Sequence, residues 1–490
     1  MAELALTVVF FLLTKGIYRL YFSPLAKFPG PKLAALTRWY EAWFDIVKGG
    51  RYTFKIRELH INDPEYHEEL YGGARSKRDK YEWATKLFVA PQASIATVSH
   101  EQHRLRRSAL SPFFSKASIR RLEPIVQGLV DTLLSRLDDL HRTGTVVNMD
   151  AAYAALTNDV ITEYAFARSG DHLRMVDFNL PQFQTLRKMR SKNAVRKHLS
   201  WSIPIVKRLP HRIALLLNPG LIYIFRFQEA CTRQVQAILN GSEKKSTPMS
   251  HATIFHEILN SKLPDSEKTL DRLRQEGQVV IFAGTETTAW CLSLITFHLL
   301  SNPTKVQKLR EELETAIPIL SESPSWEQLE QLPYLTAVIN EGLRLAPGAG
   351  TRLQRISPDQ IMKFSDGNTE WEIPAGTPVG MSSYLLHTNE EIFSRPYEFI
   401  PERWLDKPEL ERYLVPFSKG SRRCLGMNLA FAELYLCLAN VFRRYGCTGA
   451  GGPCGKLELY HTDYEDVELK HDYHILSPKA DSKGIRVLIT

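Results

Sequence analysis

A chain of 490 residues that is 44% hydrophobic and 24% charged has the composition of a folded globular body, not of a disordered one. Its formal net charge of +8 admits an anionic membrane, an acidic protein or nucleic acid as partner. The basic residues are scattered among acidic ones and no zinc-finger spacing occurs, so nucleic acid is not expected. The six cysteines, Cys231, Cys291, Cys424, Cys437, Cys447 and Cys454, are sparse and irregular. That excludes a disulfide framework or zinc knuckle and points to a reducing, cytosol-facing location.

The N-terminus opens with an apolar run, Leu4 to Leu13, then KGIYRLYF and the rigid SPLAKFPGPK. The uncharged run alone is short for a membrane span of ~20 residues. Lys15 and Arg19 extend its reach by snorkelling to the interface. There is no basic n-region or small-residue cleavage site, so a retained anchor over residues 1–23 is expected. Pro24, Pro29 and Pro31 stiffen a hinge over 24–33, and residues 34–490 read as one catalytic body.

Helical periodicity dominates from Ala34 to Leu313, with a clear amphipathic stretch from Leu122 to Leu140. A helix over Leu270 to Leu300 would run about 45 Å. Its second half is too apolar for a surface helix, while Glu286 within AGTETT argues against lipid exposure. A further helix is expected over Leu335 to Leu345. TRLQRI and KFSDGNTEWEIPAGTPVGM then read as short strands and turns. A last core helix lies near MNLAFAELYLCLANVFRRY, and the tail HTDYEDVELKHDYHILSPK is turn-rich and strand-like. The result is a mainly α fold with a smaller β-rich part.

In VPFSKGSRRCLGMNLA, Phe417, Gly420, Arg422, Cys424 and Gly426 stand just before that last helix. A water-shielded thiolate here is suited to ligate haem iron and favour O–O cleavage. Loop N–H groups and the helix start stabilise the sulfur anion. Gly420 and Gly426 let the loop approach the porphyrin, Phe417 covers the sulfur, and Arg422 reaches a propionate. Taken alone, a cysteine among glycines favours the bland reading, a buried thiol beside a solvent-facing arginine pair. The full pattern resembles the F-x-x-G-x-R-x-C-x-G signature of the cytochrome P450 family, with every fixed position present. The likeness spans nearly the whole chain.

That resemblance implies the cytochrome P450 fold, with a long central helix across haem b (iron protoporphyrin IX) and Cys424 as its axial ligand. It also implies a brace of Glu341, Arg344 and Arg403; the bland alternative for NEGLR is a surface salt bridge worth little. The AGTETT segment is similar to the family's oxygen-activation segment. Thr287 is expected to deliver a proton, Glu286 to connect it to bulk solvent, and Gly284 to leave room for dioxygen. The bland role for Thr287 is back-bonding within its own helix. His103 and Arg107 fill the W-x-x-x-R positions, with histidine in place of the commoner tryptophan. Together with Arg355 they are expected at the haem propionates, while Arg104 and Arg106 are expected to be exposed for docking.

The resemblance is to fungal secondary-metabolism monooxygenases, in the trichodiene-oxygenase and pisatin-demethylase neighbourhood. It implies NADPH–cytochrome P450 reductase as electron donor, cytochrome b5 as an optional second one, and O2 and a small hydrophobic molecule as substrates. A monomeric catalytic domain on the cytosolic face of the endoplasmic reticulum membrane follows. Lys419, Arg422 and Arg423 are candidates for the reductase surface. Substrate walls are expected from Lys80 to Ser99, Phe178 to Phe227, the segment before Ala283, and Pro347 to Leu353, with few charge anchors. A terpenoid-like substrate leads, ahead of an aromatic or polyketide-derived one. The alternatives are a haem-dependent isomerase or dehydratase, or an inactive haem-binding scaffold.

The scaffold reading draws on one departure. Family members carry a Y-G-x-x-x-R-x-x-P-like strand passage before Pro64, and here KIRELH runs straight into INDPEYHEELY. Loss of a strand would leave its partner's backbone groups unsatisfied. Asn240-Gly241-Ser242 has the form of a glycosylation acceptor, which on a cytosolic body is a polar loop.

Overall fold

The structure is a computed structural model that describes residues 1–50, 59–73, 77–202, 208–217, 219–240, 252–319, 322–350, 352–446 and 455–490. Cys447, Cys454 and residues 241–242 of the glycosylation sequence lie outside the described residues, as do residues 51–58. The helices that place the site are α1 (Ala2–Ile17), α2 (His100–Leu110), α3 (Lys116–Arg142), α4 (Met149–Phe166), α5 (Leu180–Arg190), α6 (Asn193–His198), α7 (Leu270–Leu300), α8 (Pro333–Leu345) and α9 (Met427–Tyr445).

Helix α7 is the axis of the fold. Its apolar second half is buried at every residue from Thr288 to Phe297. The alanine-rich α4 packs along it, itself buried over most of its length. Small residues permit that approach: a Cβ on Gly284 would stand 2.8 Å from Ile161 of α4. Asn148 caps α4 by accepting the Ala151 N–H, and Ser115 caps α3 by accepting the Ser118 N–H. Helix α9 closes the core against α3.

The strands are β1 (Leu59–His60), β2 (Asp79–Lys80), β3 (Val147–Asn148), β4 (Arg355–Ile356), β5 (Met362–Ser365), β6 (Glu370–Ile373), β7 (Pro378–Gly380), β8 (Leu457–Leu459), β9 (His471–Asp472), β10 (Leu476–Ser477) and β11 (Arg486–Ile489). They form a four-stranded sheet in the order β1-β7-β4-β2, a three-stranded sheet β3-β11-β8, and the pairs β5-β6 and β9-β10. The mainly α architecture with a smaller β part is therefore as expected.

The shortened passage before Pro64 leaves the interior strand paired. β7 has β1 on one side and β4 on the other, and the Ile61 N–H continues the ladder to Gly380 O. The expected unsatisfied partner is not found at β7. Among the described residues the sheet ends at β1, whose outer groups form an edge.

At the N-terminus, α1 continues through a π-helical turn at Tyr18–Phe22, with none of its residues buried. Together they make 21 apolar-rich residues, about 31 Å at 1.5 Å per residue. Arg19 does not snorkel: its guanidinium donates to Leu36 O and fastens this helix to the body. Helix α7 is also long and apolar enough to cross a membrane, but it is mostly buried inside the protein.

Candidate haem site

The cysteine loop is shaped by backbone contacts. The Cys424 N–H donates to Phe417 O at 2.8 Å, and the Arg423 N–H to Gly420 O at 3.1 Å. Gly420 has φ +67°, and a Cβ there would meet Tyr71 O at 2.0 Å. Glycine is thus required at 420 by left-handed backbone and by the Tyr71 segment. At Gly426 a Cβ would meet nothing within 4 Å, which is the cradle that a planar ligand beside Cys424 needs. The Phe417 ring packs against Phe431, 5.3 Å between centroids.

Cys424 has an accessible surface although protein surrounds it deeply enough to desolvate it; the two descriptions fit a thiol that opens inward. Burial holds its pKa above the ordinary value, opposed by the Gly426 N–H, Arg107 and Arg423. The loop donors expected from the sequence are present, but burial outweighs them, so a thiolate requires a bound cation such as iron.

Buried positive charge gathers nearby. Arg355 and Arg422 are buried, as is His103. Arg422 donates to Thr97 O and Val98 O at 2.7 and 2.6 Å, while its buried Nε has no partner among the described residues. Arg355 donates to the carbonyls of Leu353 and Gln354 and lies over the Tyr71 ring. Burial first, then Arg422, Lys80, Arg107 and Arg355, drives the His103 pKa far down, so it is neutral. Burial likewise pushes Arg422 down to about 9, with Arg355 adding to the effect.

Lys80 belongs to this cluster and was expected only as a substrate wall. It stands directly opposite Arg355 in the β2–β4 register, where like charges destabilise a sheet. Its Nζ donates to Ile95 O at 2.5 Å. Burial, then Arg355, Arg422 and Arg107, lowers its pKa well below the usual value. Cations placed together at this cost fit a dianionic group, and two haem propionates supply that charge. The residues present therefore fit haem.

On α7, Ala283 is exposed and Thr287 half-buried within an otherwise packed helix. The Thr287 hydroxyl donates to Ala283 O at 3.0 Å, the back-bond weighed from the sequence. Glu286 pairs with Arg190 of α5, whose other nitrogen donates to Ser477 Oγ at 2.8 Å. Gly284 makes the α4 contact at Ile161, where a Cβ would stand 2.8 Å away. Beside Thr287, Thr288 hydrogen-bonds Glu433 of α9; burial holds that carboxyl well above its normal pKa, so it is neutral. Nothing in the sequence singled Glu433 out, because its partner is remote along the chain.

The brace is fully formed. Glu341 Oε1 and Oε2 receive Arg344 Nη2 and Nε at 2.8 and 2.9 Å. Glu341 also receives Arg403 Nε at 3.1 Å, Trp404 Nε1 at 3.0 Å and the Ile400 N–H at 2.8 Å. Glu341 and Arg344 are essentially inaccessible, which rejects the surface-bridge alternative. Trp404 is the member that the sequence did not reveal.

Arg106 corrects another expectation: it is buried and forms a two-pronged pair with Glu267 at 2.7 and 3.1 Å. Glu267 also holds Arg272, and Arg272 reaches Glu276, locking α2 to α7. Arg104 is exposed as expected. Of the proposed docking cations, Lys419 pairs with Glu68 at 2.7 Å and Arg422 is buried, while Arg423 is exposed.

The cytochrome P450 family profile matches residues 32–453. This chain belongs to the cytochrome P450 family. A cytochrome P450 monooxygenase of Cochliobolus heterostrophus is 43% identical over 98% of this chain and 95% of its own length. A tryptophan 6-hydroxylase of Fusarium equiseti is 39% identical over 97% of this chain and 94% of its length. An N-acetyltryptophan 6-hydroxylase of Emericella nidulans is 39% identical over 96% and 93%. Family membership makes the protein a haem b-dependent oxidoreductase of the haem-thiolate monooxygenase class.

Proposed function

We propose that this P450 inserts one oxygen atom from O2 into a small, largely apolar secondary metabolite, with Cys424 as the iron ligand. The observation that carries the site assignment is the convergence of Lys80, His103, Arg107, Arg355 and Arg422 near the cysteine loop. Haem bound there supplies the oxygen-activating chemistry. His103, Arg355, Arg422 and Lys80 hold its propionates, and Arg107 adds positive charge near the sulfur. Phe417 and Gly426 shape the sulfur's surroundings. Gly420 keeps the loop seated on Tyr71, and Glu341, Arg344 and Arg403 brace it.

Thr287 Oγ1 presents a proton at the oxygen site after releasing Ala283 O. Glu286 replenishes that proton from solvent when it swings from Arg190. The electrons come from NADPH through cytochrome P450 reductase, with cytochrome b5 as a second donor. Residues 1–23 anchor a monomeric catalytic body to the cytosolic face of the endoplasmic reticulum, and 24–33 form its hinge.

The terpenoid-like reading of the substrate, like the finer kinship with trichodiene oxygenase and pisatin demethylase, rests on sequence alone. A pocket whose walls include Lys80, Phe88, Asn193, Lys197, Leu353 and His474 favours the second reading, an aromatic compound, and adds a polar head to it. It carries Asp45, Lys197, Arg352 and Asp472, where few charge anchors were expected. Two of the relatives named above act on tryptophan or its N-acetyl derivative, in line with such a substrate. The test is incubation with reductase, NADPH and 18O2: one labelled oxygen in the product supports monooxygenation, and an unlabelled rearranged or dehydrated product contradicts it.

A further inference from the structure

One buried ionic cluster plays no part in the chemistry at the haem site. Lys197 of α6 places its Nζ 2.6 Å from Glu41 and 2.8 Å from Asp45. The next residue, His198, meets Asp45 at 2.8 Å through Nε2. The two carboxylates are four residues apart on the helical run of residues 39–47, so they share one face. Trp83 adds a third segment: its Nε1 donates to Glu41 at 3.2 Å, and the His198 ring meets its indole edge-on at 5.5 Å. Arg38 lies over the same indole at 4.3 Å. Burial works against the Lys197 ammonium, but Glu41 and Asp45 outweigh it and hold its pKa above the ordinary value. Burial also raises the Asp45 carboxyl, and His198 and Lys197 overcome it, so its pKa ends below the usual one. Lys197 and Asp45 therefore face each other as ions.

This cluster is what fastens α6. No residue of that six-residue helix is fully buried, whereas Glu41 and Asp45 are. A short helix without a core face owes its place to polar contacts and opens at low cost. The helix covers the cations at the haem edge. Asp45, Ala194 and Lys197 line one cavity together with Phe88, Lys80 and Arg355, and Lys80 and Arg355 are two of the residues assigned to the propionates. A single cavity thus runs from the ionic cluster to the propionate edge.

Resting on the haem-site reading, we propose that Lys197, Glu41 and Asp45 form an ionic clasp that closes α6 over the propionate edge and limits the rate at which haem leaves. The clasp opens when α6 moves away from residues 39–47. That movement removes the wall formed by Ala194 and Lys197 and lets water reach the propionates held by Lys80 and Arg355. Buried ions suit this part, because a half-open position strands each of them without a partner.

The test is hydrogen exchange read by mass spectrometry, run beside haem transfer to an acceptor globin, both on the haem-loaded full chain. In the wild type α6 is expected to be protected. Lys197→Met leaves the two carboxylates without their cation. It is expected to speed exchange of α6 and loss of haem alike by at least about tenfold, with α8 exchanging as before. Asp45→Asn keeps Lys197 on Glu41 and is expected to speed both about threefold; it decides the matter if Lys197→Met does not fold. Unchanged haem loss overturns the proposal whatever α6 does, because the charges then fasten a helix without guarding the haem. Equal acceleration in α6 and α8 overturns it as well, since the cluster then supports the whole fold. So does a wild-type α6 that exchanges as fast as an unstructured peptide, even if neither variant folds. A wild type whose carbon-monoxide spectrum lacks the thiolate band, but whose haem loss still follows α6, would overturn the Cys424 assignment and leave the clasp standing.

Discussion

At Glu341, five donors converge on one buried carboxylate, so its removal strands Arg344 and Arg403 in low dielectric. Glu341→Ala is expected to cost about 3–5 kcal/mol, read as a lower melting temperature and little haem-loaded protein; a melt within a degree of wild type would contradict the brace. At Thr287 the loss is chemical. Thr287→Val keeps the shape but removes the hydroxyl, and product formation should fall about 10²-fold with the haem spectrum unchanged. Unchanged turnover would leave only the back-bond to Ala283. The Glu341, Arg344 and Arg403 contacts were legible because the NEGLR and PERW motifs mark them; Cys424 and Thr287 were singled out by motif in the same way. Lys80, Trp404 and Glu433 were not, since cross-strand register or long-range helix packing supplies their partners. Arg106 was misplaced because helical spacing does not reveal Glu267, 161 residues away.

Between elements, β2 and β4 oppose Lys80 and Arg355, a repulsion that a propionate relieves. Lys80→Met should therefore stabilise the haem-free protein by about 0.5–1 kcal/mol and weaken haem retention by about 1.5–3 kcal/mol. Melting of the apoprotein and haem transfer to an acceptor globin read the two signs separately; a shift of the same sign in both would contradict the cluster. His387 joins α8 to the approach of the cysteine loop: its Nδ1 bonds Arg344 O at 3.0 Å, and Nε2 accepts the Val415 N–H at 2.9 Å. Burial first, then Arg344, pushes it down from 6.5 to about 3. Folding is favoured by its neutral form, so that stability is complete above pH 6.5 and is lost as pH falls toward 3. Its share is at most about 5 kcal/mol. Thermal melts across that range should decline more gently for His387→Gln than for wild type, and parallel curves would exclude the role. Apolar periodicity made the helices legible, α7 over its full length and α3 and α8 short of their ends. The pocket walls were only partly so, because Asp472 enters from a hairpin far along the chain.

For the molecule as a whole, the N-terminal helix stands outside a core that is complete without it. Leu4, Leu6, Phe10 and Phe11 are exposed, and Arg19 ties the helix to the body through its side chain. Removal of residues 2–22 should move the protein from the membrane to the soluble fraction with its haem spectrum intact; continued sedimentation with membranes would show a second attachment. The shortened passage before Pro64 was legible as a gap, but its consequence was not. Only the β1-β7-β4 order reveals that an interior strand keeps both neighbours, which favours a competent enzyme over an inactive scaffold.

The most direct measurement is the reduced carbon-monoxide difference spectrum of the freshly purified protein, with Cys424→Ser beside it. Thiolate ligation predicts a band at about 450 nm in the wild type that is absent from the variant. A wild type that takes up no haem or shows only a band at about 420 nm, or a variant that retains the 450 nm band, would contradict Cys424 as the sulfur that holds the iron.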